Sequence, residues 1–99
     1  MAGLGGVFTE VMKDISFRRA PVGPETARAM LDGLKGAALL KGARGQPAAD
    51  LDSLAQAISR LSLFAAAHGD AIESVEMNPV RALPEGCLAL DALIVRREG

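Results

Sequence analysis

The chain has 99 residues, of which 49% are hydrophobic and 23% are charged, and its formal net charge is −1. This composition is typical of a folded chain and excludes a disordered one, and the length favours a single domain over residues 1–99. With no basic excess and only three aromatic residues, all Phe, the chain lacks the side chains of a nucleic-acid-binding surface.

Targeting signals are not apparent in the sequence. No apolar run reaches the length of about eighteen residues needed to cross a membrane, and the N-terminus does not resemble a signal peptide. We therefore expect a cytoplasmic protein with neither a membrane nor a nucleic acid as partner. The single Cys87 has no partner for a disulfide within the chain and is predicted to be a small core residue.

Two strands are predicted near the N-terminus. Residues 3–6 form a Gly-rich, flexible entry, and the apolar and β-branched residues 7–12 and 15–20 predict a hairpin whose second strand ends at Pro21. The glycines precede a strand instead of a helix, so we reject a phosphate-binding loop. Glu10 is either a solvated edge residue or a polar group directed into a site.

Two amphipathic helices are predicted next. Pro24 suits the first position of a helix, and Gly36 is expected to end it. Asp50 is expected to cap the second helix, which runs to His68, where a capping role is favoured over catalysis. The first helix carries its apolar stripe at Ala27, Met30, Leu31 and Leu34.

Residues 37–47, between the helices, are predicted to form a loop that carries Lys41 and Arg44 among glycines. Glycines allow close approach of the backbone, and cations in such a loop bind phosphate or carboxylate groups. The alternative is a solvated connection.

A C-terminal hairpin carries the main candidate site. Leu83-Pro84-Glu85-Gly86 has Pro at the second and Gly at the fourth position, as in a type I turn. If these four residues form the loop, Ala82 pairs with Cys87, and counting back places Asn78 directly opposite Asp91. Opposed side chains in an antiparallel pair have Cβ atoms about 4.5–5.5 Å apart.

The opposed pair suggests a metal site. Glu76 lies two residues before Asn78 and shares its face of the strand. An amide oxygen and carboxylates at this spacing suit Mg²⁺, which takes oxygen ligands and retains waters and substrate phosphates. The alternatives are that Asn78 and Pro79 simply terminate a strand and that Asp91 accepts hydrogen bonds from backbone. A bulge at Gly86 would also turn Asp91 to the opposite face.

The predicted order is two strands, two helices and two strands (ββααββ). This order favours an α+β fold of two layers, with a mainly antiparallel sheet and two helices on one face.

Three stretches together carry a family likeness. They are residues 3–21, residues 39–47 with Asp50 and Leu51 after them, and Glu76-Met77-Asn78-Pro79 with Asp91. In this order they resemble the C-terminal part of the ATP-grasp domain of NDP-forming acyl-CoA synthetases, the group of acetate–CoA ligases and succinyl-CoA synthetase β-subunits.

The resemblance implies ATP and Mg²⁺ as cofactors. Asn78 and Asp91 then coordinate the Mg²⁺ bound to the nucleotide phosphates, with Glu76 beside them. Glu10, Lys41 and Arg44 are further candidates for contacts with the nucleotide or its phosphates. In the family, a phosphoryl group passes from ATP through a phosphohistidine to an acyl phosphate, from which the CoA thioester forms.

Other parts of the family's active site have no counterpart in these residues. The nucleotide-binding Lys, the adenine-contacting hinge, the CoA-binding domain and the phosphorylated His are missing, and His68 does not match the last of these. We therefore expect weak Mg²⁺–nucleotide binding and no catalysis by the chain alone, with the remainder supplied by another chain, or self-association. The alternative is a stand-alone interaction module that retained the fold without the chemistry.

Overall fold

The computed structural model describes residues 1–4, 14–42 and 47–98. Within these ranges the strands form antiparallel pairs, β1 with β2, β3 with β6 and β4 with β5, and the predicted α+β class is confirmed. No helix in the described ranges is long and apolar enough to span a membrane. The elements are β1 (Ala2–Gly3), β2 (Ile15–Ser16), α1 (Pro24–Asp32), α2 (Ala37–Leu40), α3 (Leu51–Ala67), β3 (Ile72–Met77), β4 (Val80–Ala82), β5 (Cys87–Ala89) and β6 (Ala92–Arg96).

The N-terminal strands differ from the prediction. β2 covers only two residues of the predicted strand 15–20, and its partner is Ala2–Gly3, although Gly3 was assigned to a flexible entry. The ladder pairs Ala2 with Ser16 and Gly3 with Ile15, and the Ser16 hydroxyl donates to the carbonyl of Met30 at 2.8 Å. The predicted strand over residues 7–12 lies outside the described residues.

Helix α1 begins at Pro24 as predicted, but the expected stop at Gly36 is wrong, since the helix ends at Asp32. The cause is a contact with a distant residue. The buried Asp14 carboxylate accepts the N–H groups of Lys35 at 2.6 Å and Gly36 at 2.8 Å, and this fixes a turn between α1 and α2. Helix α2 then occupies the start of the region predicted to be a loop.

Helices α1 and α3 pack against each other and form the core. Ser59, on the buried face of α3, donates to the carbonyl of Val22 at 2.8 Å, and the Val22 N–H donates to Ser62 Oγ at 2.9 Å. Cys87 is half-buried against this core. The buried apolar residues are Val22, Ala27, Met30, Leu31, Leu34, Ala37, Leu54 and Ala55.

Asp50 joins α3 to the turn between β4 and β5. Its carboxylate caps the helix by accepting the Ser53 N–H at 3.0 Å, as predicted, and accepts the Ser53 hydroxyl at 2.8 Å. It also accepts the Gly86 N–H at 2.8 Å, while the Asp50 N–H donates to the carbonyl of Leu83 at 2.8 Å. A single residue thus anchors the hairpin turn to the helix.

These bonds predict an acid-sensitive hairpin. The Gly86 N–H, followed by the Ser53 hydroxyl and N–H, lowers the pKa of Asp50 from its usual value of 3.8. A lowered pKa in the folded state stabilises the fold above pH 3.8, and this contribution is lost as the pH falls through the folded-state pKa. We expect urea unfolding to show a smaller loss of stability between pH 5 and pH 3 in Asp50→Asn than in the unmodified chain. Equal losses in both proteins would contradict this role.

Candidate metal centre

The predicted hairpin register is confirmed. Val80 pairs with Ala89 and Ala82 with Cys87, with no bulge between them. In the turn, the Leu83 N–H donates to the carbonyl of Gly86 at 3.3 Å. Gly86 has a φ of +79°, a conformation that glycine adopts without steric cost.

The same register continues into the second ladder. Met77 pairs with Ala92, and one residue further the Asn78 N–H donates to the carbonyl of Asp91 at 3.0 Å. Pro79 interrupts the strands because it has no N–H, yet its carbonyl accepts the Leu90 N–H at 2.9 Å. Asn78 therefore lies opposite Asp91, as the count along the sequence predicted.

The side chains that could supply oxygen ligands, those of Glu76, Asn78 and Asp91, are exposed and lie in one region of the ladder. Glu76 pairs with Leu93, the residue two positions after Asp91, so the alternation of side chains places it on the same face as Asn78. Asp91 Oδ1 accepts the N–H of Ala92 at 2.8 Å, so the backbone contact considered as an alternative is present. The second carboxylate oxygen of Asp91 has no hydrogen bond among the described residues.

The donor chemistry fits one mode of Mg²⁺ binding. No group of three or more His, Cys, Asp or Glu side chains in the described ranges is arranged to hold a metal. A cage built from protein ligands is therefore not formed by these residues. An Asn oxygen and one or two carboxylates instead match Mg²⁺ that completes its octahedral shell with waters and substrate phosphates.

Lys41 is engaged elsewhere. Its ammonium lies 3.3 Å from Asp32 Oδ1, and Arg28 lies 3.7 Å from the same oxygen and 3.0 Å from Asp52. No ion pair in the described part of the chain joins Lys41 to Glu76 or Asp91. Glu10 and Arg44, the other predicted nucleotide contacts, lie outside the described residues.

Sequence reasoning missed the residue that positions the hairpin turn. Asp50 was recognised as a helix cap, but its hydrogen bond to Gly86 joins residues 36 positions apart and leaves no local signal. This bond matters to the site because the 83–86 turn sets the register that places Asn78 opposite Asp91.

Comparisons with known proteins agree with this architecture. The family model of the ATP-grasp domain matches residues 1–95. Among solved structures, the dinucleotide-forming acetyl-coenzyme A synthetase 1 of Ca. Korarchaeum cryptofilum, in complex with coenzyme A and Mg-AMPPCP, is 37% identical with a TM-score of 0.87. The match covers 96% of this chain and 44% of that chain.

Curated relatives agree with the structural match. Acetate–CoA ligase [ADP-forming] I of Archaeoglobus fulgidus is 37% identical over 98 residues, which are 99% of this chain and 14% of the relative. The β subunit of acetate–CoA ligase [ADP-forming] I of Pyrococcus furiosus is 36% identical over 95 residues, 96% of this chain and 40% of the subunit. The chain thus spans less than half the length of these relatives, and it belongs to the ATP-grasp family of NDP-forming acyl-CoA synthetases.

Proposed function

We propose that this chain forms the Mg²⁺-binding part of the ATP site in an NDP-forming acyl-CoA synthetase. Asn78 and Asp91 are the protein ligands of the metal, and Glu76 lies beside them as a ligand or as an acceptor for metal-bound water. The observation that carries the proposal is the continuous register, in which the Asn78 N–H bonds to the Asp91 carbonyl at 3.0 Å. The Mg-AMPPCP in the related acetyl-coenzyme A synthetase supports the choice of ligand.

The ladder contributes position and charge. Asn78 and Asp91 would hold Mg²⁺, which would supply positive charge to offset the negative charge that develops during phosphoryl transfer. The backbone hydrogen bond between Asn78 and Asp91 sets the positions from which both side chains extend before the ligand arrives. For Lys41 to meet a phosphate, its ammonium has to leave Asp32, which costs little because exposed ion pairs contribute weakly to stability.

The complete reaction needs more than this chain. We propose that the whole enzyme joins an acyl acid to CoA with ATP, and that residues of another domain or subunit supply the remaining contacts. The lengths of the relatives support this view, since the chain covers 14% to 44% of those compared. The isolated chain is expected to bind Mg²⁺–ATP weakly and to lack catalysis.

An NMR titration with Mg²⁺ and AMPPCP tests nucleotide binding. We expect shifts of backbone amides in residues 76–78 and 90–92, because these segments carry the ligands, and we expect the shifts to be much smaller when Mg²⁺ is omitted. Glu73→Ala is a matched control, since this exposed acid lies on the same strand at its other end. An absence of shifts in residues 76–78 and 90–92 at millimolar ligand would favour the alternative of an interaction module without nucleotide binding.

A further inference from the structure

Helix α3 is bonded to both ends of the long hairpin that runs from β3 to β6. At the open end of the hairpin, the Ile72 N–H donates to the carbonyl of His68 at 2.9 Å, just after the helix. At the closed end, the Asp50 N–H donates to the carbonyl of Leu83 at 2.8 Å, and the Asp50 carboxylate accepts the Gly86 N–H at 2.8 Å. Opposite ends of one helix therefore hold opposite ends of one hairpin.

The helix is shorter than the hairpin arm that it holds. From its N-cap Asp50 to its C-cap His68, α3 spans about 27 Å, at about 1.5 Å per residue. The arm from Ile72 to Leu83 would span about 36 Å if it were straight, at about 3.3 Å per residue. The hydrogen bonds at the two ends, of 2.9 and 2.8 Å, do not close this difference. The hairpin therefore has to bend between its two attachments.

The bend lies at the candidate metal centre. Both arms of the hairpin are interrupted at the same level, at residues 78–79 between β3 and β4 and at residues 90–91 between β5 and β6. The backbone turns at Leu90. The register shift within β3 lies instead at the open end of the hairpin. Asn78 and Asp91 thus lie where the β3–β6 ladder changes direction into the β4–β5 ladder.

The angle of this bend matters to a pair of metal ligands. The residues on either side are held in ladders, so a change of angle has to be absorbed by rotation about the backbone bonds of residues 78–79 and 90–91. Such a rotation turns the side chains of Asn78 and Asp91 relative to each other. Mg²⁺ requires near-octahedral geometry with ligands at about 2.0–2.1 Å, so it tolerates little displacement of either oxygen.

A directional contact is needed to fix the angle. Val80 and Cys87 of the β4–β5 ladder pack against the hydrophobic core, but apolar packing is non-directional. The Asp50 carboxylate bonds to the Gly86 N–H with one oxygen, and its other oxygen accepts the Ser53 N–H at 3.0 Å. This carboxylate therefore joins the closed end of the hairpin to the first turn of α3 in a defined direction.

We propose that Asp50 is a positioning residue for the metal centre. Helix α3 holds the hairpin bent, and the bond from Gly86 to Asp50 sets the angle at which Asn78 and Asp91 present their oxygens. In this role Asp50 contacts neither the metal nor the nucleotide and acts only through the backbone of the hairpin. The inference rests on the proposed function, because it concerns the same Mg²⁺ site.

Two substitutions of Asp50 separate the hairpin bond from the helix cap. Asn and Ser are N-caps of similar strength to Asp, so Asp50→Asn and Asp50→Ser should keep α3 capped. Asn has a single acceptor oxygen, which the cap uses, and the shorter Ser side chain cannot serve the cap and Gly86 together. Ser53→Ala is the matched control, because it removes the 2.8 Å bond from the Ser53 hydroxyl to the same carboxylate and leaves the Gly86 bond in place.

Two measurements on the 99-residue chain test the role of Asp50. Residual dipolar couplings of the backbone amides, recorded without ligand, should show a changed angle between the two ladders in both Asp50 variants and not in Ser53→Ala. Isothermal titration calorimetry, at a temperature where circular dichroism shows every variant folded, should show Mg²⁺–AMPPCP binding at least about threefold weaker in both Asp50 variants. Binding of AMPPCP without Mg²⁺ should not change, whereas a purely structural role of Asp50 would leave the Mg²⁺-dependent part of the affinity unchanged.

A double-mutant cycle shows whether Asp50 acts through the metal ligands. In an Asp91→Ala chain, Asp50→Asn should weaken binding little further. An unchanged ladder angle, an unchanged affinity of both Asp50 variants, or an equal loss with and without Asp91 would overturn the role of Asp50 while Asp91→Ala still weakens binding. Equal binding by Asp91→Ala and the unmodified chain would instead overturn the proposed function itself.

Discussion

Asp91→Ala is expected to weaken the binding of Mg²⁺–AMPPCP at least about tenfold, a loss of about 1.4 kcal/mol. The substitution removes the charged oxygen that the hairpin places opposite Asn78 and leaves the backbone ladder intact. Isothermal titration calorimetry with and without Mg²⁺ measures the effect. The affinity that remains in Asp91→Ala should change little when Mg²⁺ is removed, because a principal ligand of the metal is then missing.

Two further variants separate charge from structure. Asp91→Asn keeps an oxygen but loses the charge, so we expect its affinity to lie between those of the unmodified chain and Asp91→Ala. Asp70→Ala removes an exposed carboxylate in the segment between α3 and β3 and should leave binding unchanged. Equal affinities of Asp91→Ala and the unmodified chain for Mg²⁺–AMPPCP would exclude Asp91 as a ligand.

Met30→Ala is expected to reduce the free energy of unfolding by about 2–5 kcal/mol, the usual cost of such a truncation in a core. Met30 lies on the buried face of α1, is 2% exposed, and belongs to the hydrophobic core. The loss is large for a domain whose total stability is typically about 5–15 kcal/mol. Urea denaturation followed by circular dichroism measures it.

Two control variants separate the effect of lost volume at Met30 from that of truncating an exposed side chain. Met30→Leu nearly conserves volume and should cost less than about 1.5 kcal/mol. Leu39→Ala truncates a side chain that is 54% exposed and should cost much less than Met30→Ala. A loss below about 1 kcal/mol for Met30→Ala would show that the α1–α3 contact is not the main core.

Elements with local signals were predicted well from the sequence. Pro24 begins α1 and Asp50 caps α3, because the cap chemistry depends on residues within one helical turn. The register of the hairpin followed from four turn residues, since a turn of fixed length determines which residues pair. Counting from that turn placed Asn78 opposite Asp91, while the choice of Mg²⁺ and ATP came from the family likeness.

Features that depend on distant residues were not predictable in this way. Helix α1 ends at Asp32, not at the predicted Gly36, because the Asp14 carboxylate accepts the N–H groups of Lys35 and Gly36 in the turn that follows. Asp14 lies more than twenty residues before these two residues in the sequence. The pair of Lys41 with Asp32 depends on that same turn, so the sequence suggested an anion-binding loop but not this ion pair.

Paramagnetic broadening by Mn²⁺ tests the position of the metal most directly. Mn²⁺ replaces Mg²⁺ at sites with oxygen ligands and broadens the NMR signals of nearby nuclei, so a substoichiometric addition with AMPPCP maps the site. We predict that the amides of Asn78 and Asp91 broaden first, followed by that of Glu76, and that Asp91→Ala removes the effect. Broadening centred on Asp32 and Asp52, the two acids that pair with Arg28, would contradict the assignment of the metal site if the signals of Asn78 and Asp91 stayed sharp.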